Sequence, residues 1–556
     1  MTHKSHGKPV VQPKPKRRPS QKEELNTALP ELLEQDYTIV NDQAARQLYA
    51  RQADGRAFPL DQLAFCETLA LQLDDQGIDA TPDKVRQWCH DNAFKLKPKA
   101  LMTRVMRRIQ GSPHVGRVII DLGNAAGQYA VLTPDEGVQL TTTCPDERVV
   151  MVPFDRQLAL PTPTNMDTHD AVSELIGLMP QLEEGEALLF IAWLTYNLTH
   201  ERDPRLMRVF LVLLGPQGSG KTSFCQHIIQ RFLDPSAIGV QRMPDSFDDI
   251  AVSSLACDVP IFDNISRISS RLSDSFCQVA TGSAMVNRKL FTNRDSVVTQ
   301  LQSTLVFNGL KQPFVKHDLI SRSLYLHFNP LTPDQRQSES EMTAWLDDNE
   351  SRIMGSLLRL CVDIMREWPD ARPHINERAV DFCRWLAAFD RVQAQDDGEP
   401  DAQDDTDDAP HGADQPHADD VVDTDTGEVV NSDSSVEPDS SVEQAYADNL
   451  RHAYATTLQS DPVAYLVDQL LQVRHGHWEG TPTQLLEALD ELAPEVARYV
   501  SPQALPHNAV SLGKRLQQGS DLYEMLQRAG IHVVRQRTQK RYVTLTYHAQ
   551  LLHASA

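Results

Sequence analysis

The chain has 556 residues, 53 Lys and Arg against 77 Asp and Glu, and a formal net charge of −24. That length exceeds a single hydrophobic core and predicts two to four domains. The acidity argues against a nucleic-acid partner only until it is located: residues 396–443 hold 18 of the acidic side chains and no Lys or Arg, which leaves −6 for everything else.

The chain opens on a basic arm, residues 1–22, in which Lys4, Lys8, Lys14, Lys16, Arg17, Arg18 and Lys22 precede the first acidic residue, Glu23. Prolines and polar residues between them predict disorder, and the arm lacks the apolar core of a secretion signal. No later run reaches the length of a membrane span, and eight cysteines occur without a Cys-x-x-Cys pair. A cytosolic protein with reduced, mostly buried thiols is therefore expected, with neither a zinc ribbon nor disulfides, and Cys225 is read as core.

Residues 23–110 read as a helical region, with amphipathic runs over Leu60 to Leu73 and Asp83 to Asn92, the second entered through Thr81-Pro82. Residues 111–165 read as a small β-rich adaptor in which Val115 to Leu122 pairs with Gln128 to Leu132 across a glycine-containing turn. Neither region clusters the acidic residues that a two-metal primase or polymerase site requires. An α/β core follows over 166–335, with an apolar helix at Glu184 to Leu198, and then a helical subdomain over 336–392. Residues 393–443 form the acidic tract, poor in large apolar groups and self-repelling, which reads as a disordered spacer or as a decoy for a basic surface.

Residues 444–556 read as a winged-helix-like unit. Helices are expected over Pro462 to Val473, Thr481 to Leu492 and Asn508 to Ala529, followed by strands Ile531 to Arg537 and Arg541 to Tyr547. Lys514 and Arg515 fall on the third helical stretch, and Arg535, Arg537, Lys540 and Arg541 decorate a hairpin that holds no acidic residue. These six are the candidate DNA contacts, since a basic wing tracks phosphates while an adjoining helix enters the major groove. Protein interaction is the alternative use of such a unit.

The chemistry concentrates in the core. Val209 to Leu214 is an apolar strand that runs into Gly215-Pro216-Gln217-Gly218-Ser219-Gly220-Lys221-Thr222, a complete Walker A loop, and Ser223 to Phe232 reads as the helix leaving it. Gly215, Gln217, Gly218, Ser219 and Gly220 would wrap phosphate with backbone amides, Lys221 would reach the β- and γ-phosphates, and Thr222 would hold Mg2+. The strand Val259 to Phe262 ends in Asp263, a Walker B aspartate that shares the metal with Thr222; a capping Asp is the plainer reading. Ser303 to Phe307 ends in Asn308, whose amide would sense the γ-phosphate, although Asn-Gly is also a common turn. Arg322 follows Asp318 and would complete the site of a neighbouring subunit, or pair with Asp318.

Taken in order, the loop 215–222, Asp263-Asn264-Ile265-Ser266, Leu272-Ser273-Asp274, Ala280-Thr281-Gly282, Arg288 to Thr292, Asn308-Gly309 and Asp318-Leu319-x-x-Arg322 resemble the primase/helicase ATPases of bacteriophages, plasmids and integrative elements. That family is related to the superfamily-3 helicases and the AAA+ class, and the similarity runs from about Val115 to Phe328. The resemblance implies an AAA+/superfamily-3-like P-loop core, a homo-oligomeric ring with a hexamer favoured, and motor activity on single-stranded or forked DNA. It also implies that Val286 to Gln302 is a pore hairpin, with Lys289 and Arg294 on the DNA backbone. One departure from the broad AAA+ pattern is Asn264, where many motors carry a glutamate that polarises water. An amide orients water but accepts no proton, so hydrolysis would either persist slowly or draw on a carboxylate from elsewhere, such as Asp249 or Asp274. The expected function is an ATP- and Mg2+-dependent DNA helicase or translocase of a mobile element. The alternatives are an ATP-gated DNA-binding switch and an antiphage-defence ATPase.

Overall fold

The computed structural model describes residues 21–547 except 44–46, 147, 155, 267, 289–295, 315, 397–440, 459–460, 494–504 and 538–540. The basic arm up to residue 20, Lys289, Arg294, Lys540 and most of the acidic tract therefore lie outside the described residues.

Five short strands form the central sheet: β1 (Phe210–Leu214), β2 (Gln241–Arg242), β3 (Ile261–Ile265), β4 (Val306–Gly309) and β5 (Ser323–His327). They lie in the order β2-β3-β4-β1-β5 and every pairing is parallel. A parallel strand is covered on both faces, which is why β1 reads Phe-Leu-Val-Leu-Leu with every residue buried. The first strand in the chain sits between the fourth and fifth, so the carboxyl ends of β1, β3 and β4 open side by side onto one edge, where α/β sheets place ligands. Helix α1 (Glu184–Thr199) is buried along most of its length. It is tied to the sheet by polar side chains with full partners: Trp193 Nε1 donates to Val209 O at 2.8 Å, and Thr304 Oγ1 donates to Asn197 Oδ1 at 2.7 Å.

The helical subdomain is two helices, α2 (Glu339–Glu367) and α3 (Val380–Asp396). Pro369 and Pro373 stand between them, and a proline ring cannot continue the helical hydrogen-bond ladder. A third helix, α4 (Val442–Leu458), corrects the domain boundary drawn from composition. Asp390 on α3 accepts from Ser441 Oγ and Val442 N, both at 2.7 Å, and from Glu443 N at 3.1 Å, so the described residues on either side of the acidic tract meet. Asn449 on α4 then docks on the edge strand: Tyr325 N donates to its Oδ1 at 2.9 Å and its Nδ2 donates to Tyr325 O at 2.6 Å. A side-chain amide thus takes the place of a sixth strand and blocks an open sheet edge.

The C-terminal unit packs on α4 instead of hanging from a spacer, and its apolar side chains join the same hydrophobic cluster as the sheet. Arg528 lies over the Tyr454 ring of α4 at 5.8 Å. Its helices are Pro462–Val473, Pro482–Leu492, Ala509–Arg515 and Asp521–Arg528. The stretch expected as one helix over Asn508 to Ala529 is broken at Gly519, whose φ of 82° leaves the helical region. Strand His477–Gly480 adds to the expected hairpin, giving a three-stranded antiparallel sheet with Arg541–Tyr547 in the middle.

The N-terminal region is not wholly helical. Beside helices Gln21–Asp36, Leu63–Asp75 and Pro82–Leu96 it forms a four-stranded sheet from Thr38–Asp42, Leu48–Arg51, Ala57–Pro59 and Leu101–Thr103. Strands of three to five residues are too short to show a period of two, so helical periodicity dominated the reading. The β-rich adaptor is a four-stranded meander rather than one hairpin. Arginines lock these units to the core: Arg104 pairs with Glu201 at 2.9 Å and Asp203 at 3.2 Å, and Arg107 donates to Leu255 O at 2.9 Å. Burial, with Arg202 close by, pulls the Arg107 guanidinium down to about 10.

Because the flanks of the tract are pinned, replacing 397–440 with a short Gly/Ser bridge is expected to leave the fold intact. A shorter loop raises unfolding stability by about 1–2 kcal/mol in denaturant titrations. Asn449→Ala, which leaves Tyr325 N and O without their partner, is expected to cost about 1–3 kcal/mol in the same assay.

Candidate functional site

The loop after β1 is shaped by three glycines. Gly218 and Gly220 have φ of 79° and 82°, a left-handed conformation that turns successive N–H groups to one side. A Cβ on Gly215 would stand 2.4 Å from Phe328 O, so only glycine fits there. Lys221 starts the following helix, and its Nζ donates to Pro216 O at 2.7 Å, Gly215 O at 3.0 Å and Ser219 Oγ at 3.1 Å. Burial lowers the lysine's pKa, while the Asp263 charge opposes that shift. The ammonium is thus held inside the loop by neutral acceptors, and an anion would pair with it better than they do.

Two other strands bring their ends to the same place. Asn308 Nδ2 donates to Thr222 Oγ1 at 3.2 Å, and that hydroxyl donates to Asp263 Oδ2 at 3.3 Å. Asp263 points this way because β3 carries an irregularity between Phe262 and Ile265, with Asn264 at φ 58°. A bulge of this kind re-aims a side chain, and asparagine is among the few residues that adopt the left-handed region readily. The backbone conformation therefore accounts for Asn264, because a glutamate there would be strained. Gly309 has its own steric reason: a Cβ would lie 2.6 Å from Ile265 O across the β3–β4 contact. Between these strand ends and the loop lies a cleft of about 590 Å³ that Asp263, Asn264, Asn308 and Lys311 line on one side. A Mg2+ ion suits the hard oxygens of Thr222 and Asp263. Among the described residues there is no group of three or more His, Cys, Asp or Glu able to hold a metal by itself, so phosphate and water would complete such a shell.

The remaining expected residues fall elsewhere. Arg322 is buried at 4% exposure and pairs with Asp318 at 2.6 Å within its own chain, the plainer of its two readings. Asp318 also pairs with Arg378. Burial raises the Asp318 carboxyl, but the hydrogen bonds from Arg322 and Cys277 and the two arginine charges outweigh it and hold the group at about 2. Ser246 caps its helix by accepting from Asp249 N at 3.2 Å and donates to Asp249 Oδ2 at 2.8 Å, Asp274 pairs with Lys316 at 2.5 Å, and neither carboxylate lines the cleft. In the C-terminal unit Lys514 is exposed, whereas Arg515 is engaged with Asp461 at the start of helix Pro462–Val473. Arg535 lies 4.0 Å from the place a Cβ on Gly513 would take, so strand and helix bring the Arg535 guanidinium against Gly513, the residue before Lys514. Arg537 and Arg541 face each other in register at the hairpin end. Ser223, Leu310, Lys311 and Glu339 also line the cleft and were not among the candidates read from the sequence, Glu339 because it belongs to no strand–loop pattern.

This is an α/β protein with a parallel sheet whose strand ends meet a glycine-rich loop at a polar cleft. Residues 172–404 match the family described as actinomycete integrative conjugative element replication protein, and residues 463–555 match the AICE RepA C-terminal domain. The two segments together span more than half of the chain, and the chain belongs to this family of mobile-element replication proteins. No curated protein matches. Among solved structures, "SCCmec type IV Cch - active helicase" is similar at 10% identity over 93% of each chain, with a TM-score of 0.40. The NrS-1 C-terminal region has 12% identity over 60% of this chain and 70% of that one, with a TM-score of 0.35. A JCV helicase structure has 14% identity over 42% and 62%, with a TM-score of 0.23. Among the described residues no helix is long and apolar enough to cross a membrane.

Two substitutions test this geometry. Asn264→Gly is expected to keep or raise the melting temperature and Asn264→Glu to lower stability by about 1 kcal/mol, since only the second strains a left-handed residue. Arg322→Ala is expected to cost about 1–3 kcal/mol at neutral pH, a reduced figure because Asp318 is half exposed and keeps Arg378. The Asp318 pKa is depressed from 3.8 to about 2 in the folded chain. Its contribution is therefore complete above pH 4 and fades as pH falls toward 2, so the stability gap between wild type and variant should narrow over that window.

Proposed function

We propose that this chain is an ATP-dependent helicase or translocase acting in replication of an integrative conjugative element, built on an AAA+/superfamily-3-like P-loop core that assembles as a ring. The observation that carries the reading is the placement of Thr222 between Asp263 and Asn308 at the edge of the parallel sheet. In this reading the 215–220 amides and Lys221 hold the phosphates, Thr222 and Asp263 hold Mg2+, and Asn308 contacts the γ-phosphate and the attacking water. A metal held by Thr222 and Asp263 would supply charge neutralisation at the phosphates. Arg322 would serve a neighbouring site only after release from Asp318. The C-terminal unit is read as a winged helix that holds DNA through Lys514, Arg535, Arg537, Lys540 and Arg541, with Arg515 committed to Asp461; Lys289 and Arg294 remain the pore-hairpin candidates. A hexamer on single-stranded or forked DNA in the cytosol is the assembly favoured.

One observation favours a second reading, an ATP-gated switch with little turnover: the residue after Asp263 is an amide in a left-handed conformation, and no other acidic side chain sits beside it on β3. Steady-state ATP hydrolysis with and without forked DNA separates the two. The motor reading expects DNA-stimulated turnover with strand separation, Lys221→Ala without nucleotide binding, and Asn308→Ala slowed by roughly 10²-fold with binding retained. Tight binding without turnover supports the switch. DNA affinity is expected to fall steeply between low and physiological salt, and Lys514→Ala with Arg535→Ala to flatten that dependence.

A further inference from the structure

We infer that Glu339 receives the ribose hydroxyls of the bound nucleotide and makes the cleft selective for ribonucleotides over deoxyribonucleotides. The inference rests on the triphosphate reading above.

The cleft has a direction. Asp263 and Asn308 approach Thr222 from one side, which sets the metal end. Ser223, the next residue on the helix, meets Glu339: Ser223 Oγ donates to Glu339 Oε1 at 2.6 Å. With the terminal phosphates at the metal end, the nucleotide leaves the loop past Ser223, and the group that follows the α-phosphate is the ribose. His227, one helical turn further on, lies 2.5 Å from Glu339 Oε2. Glu339 lines the same cleft as the loop, Asp263 and Asn308, and no phosphate contact explains a carboxylate there.

The carboxylate is available for this work. An ionised carboxylate offers about four acceptor positions, and Ser223 and His227 occupy two of them. Hydrogen bonds from Ser223 first and His227 second hold the group below its ordinary pKa, so it remains an acceptor at neutral pH. Its side chain is 70% exposed in the cleft while His227 is only 16% exposed, so it is aimed outward from a covered partner. Glu339 opens α2 without capping it: Ser338 and Glu341 form the complete capping box. That 29-residue helix is anchored by buried Leu346, Ile353 and Met354, which gives the carboxylate a rigid base. A carboxylate suits a ribose diol, because both hydroxyls donate and neither adds negative charge.

The test measures equilibrium binding of ATP, 2′-deoxy-ATP and 2′,3′-dideoxy-ATP, each with Mg2+, to full-length wild type, Glu339→Ala, Glu339→Gln and Lys221→Ala. Wild type is expected to bind ATP roughly tenfold more tightly than dideoxy-ATP, as loss of charge-assisted hydrogen bonds predicts. Glu339→Ala should bring ATP down to the dideoxy-ATP level and leave dideoxy-ATP affinity within about twofold, with Glu339→Gln in between. Equal affinities in wild type, or a preference that survives in Glu339→Ala, overturns the ribose assignment and leaves the phosphate site standing. A fall in dideoxy-ATP affinity as large as that in ATP affinity assigns Glu339 a purely structural hold on Ser223 and also overturns it. Wild type that binds none of the three, or Lys221→Ala that binds all of them normally, removes the triphosphate reading together with this one.

Discussion

The parallel pairing of β4 with β1, which sets Asn308 opposite Leu213 and Gly309 opposite Leu214, is the constraint on which the candidate site depends. It brings the end of one strand beside the loop that leaves the other, although the two are far apart in the chain. β3 adds Asp263 from the next position in the sheet, but only because its bulge and the left-handed Asn264 turn that carboxylate toward Thr222. Gly309 has to be small for β3 and β4 to meet at that bulge. A hydroxyl, a carboxylate and an amide consequently converge with no loop long enough to blur their positions, which is the preorganisation that phosphate chemistry requires.

Asn264 carries two meanings that belong together. Chemically, an amide beside Asp263 offers no proton acceptor. Structurally, the same residue stabilises the backbone turn that aims Asp263. A glutamate at this position would restore the acceptor while straining the bulge, so the departure from the broader motor pattern has a conformational basis in this chain.

The second organising feature is the return of the chain at α4. Asp390 collects the residues that follow the acidic tract, Glu443 accepts from the backbone of Ile375 at 2.8 Å, and Asn449 closes the sheet edge. The C-terminal unit builds on that helix through Tyr454 and Arg528. That helix, α4, is therefore the element shared by the sheet and the C-terminal unit. This replaces the picture of an independent module on a charged tether, and it makes the acidic tract an insertion within a continuous core.

The glycine-rich loop, its flanking strand and helix, and the strand-end positions of Asp263 and Asn308 were legible in the sequence because each depends on local pattern: an apolar run, glycines where φ must be positive, and a polar residue at the run's end. The C-terminal helices and hairpin were legible for the same reason, apart from the break at Gly519. Tertiary structure alone decided the rest. Short N-terminal strands carry too little periodicity to announce themselves, the pairing of Arg322 with Asp318 depends on which carboxylate the packing leaves beside it, and the placement of α4 follows from an asparagine meeting an unpaired strand edge. Glu339 reaches the cleft from more than a hundred residues beyond the loop, and no local pattern encodes such a contact, because it arises only where two separately folded segments are packed against each other.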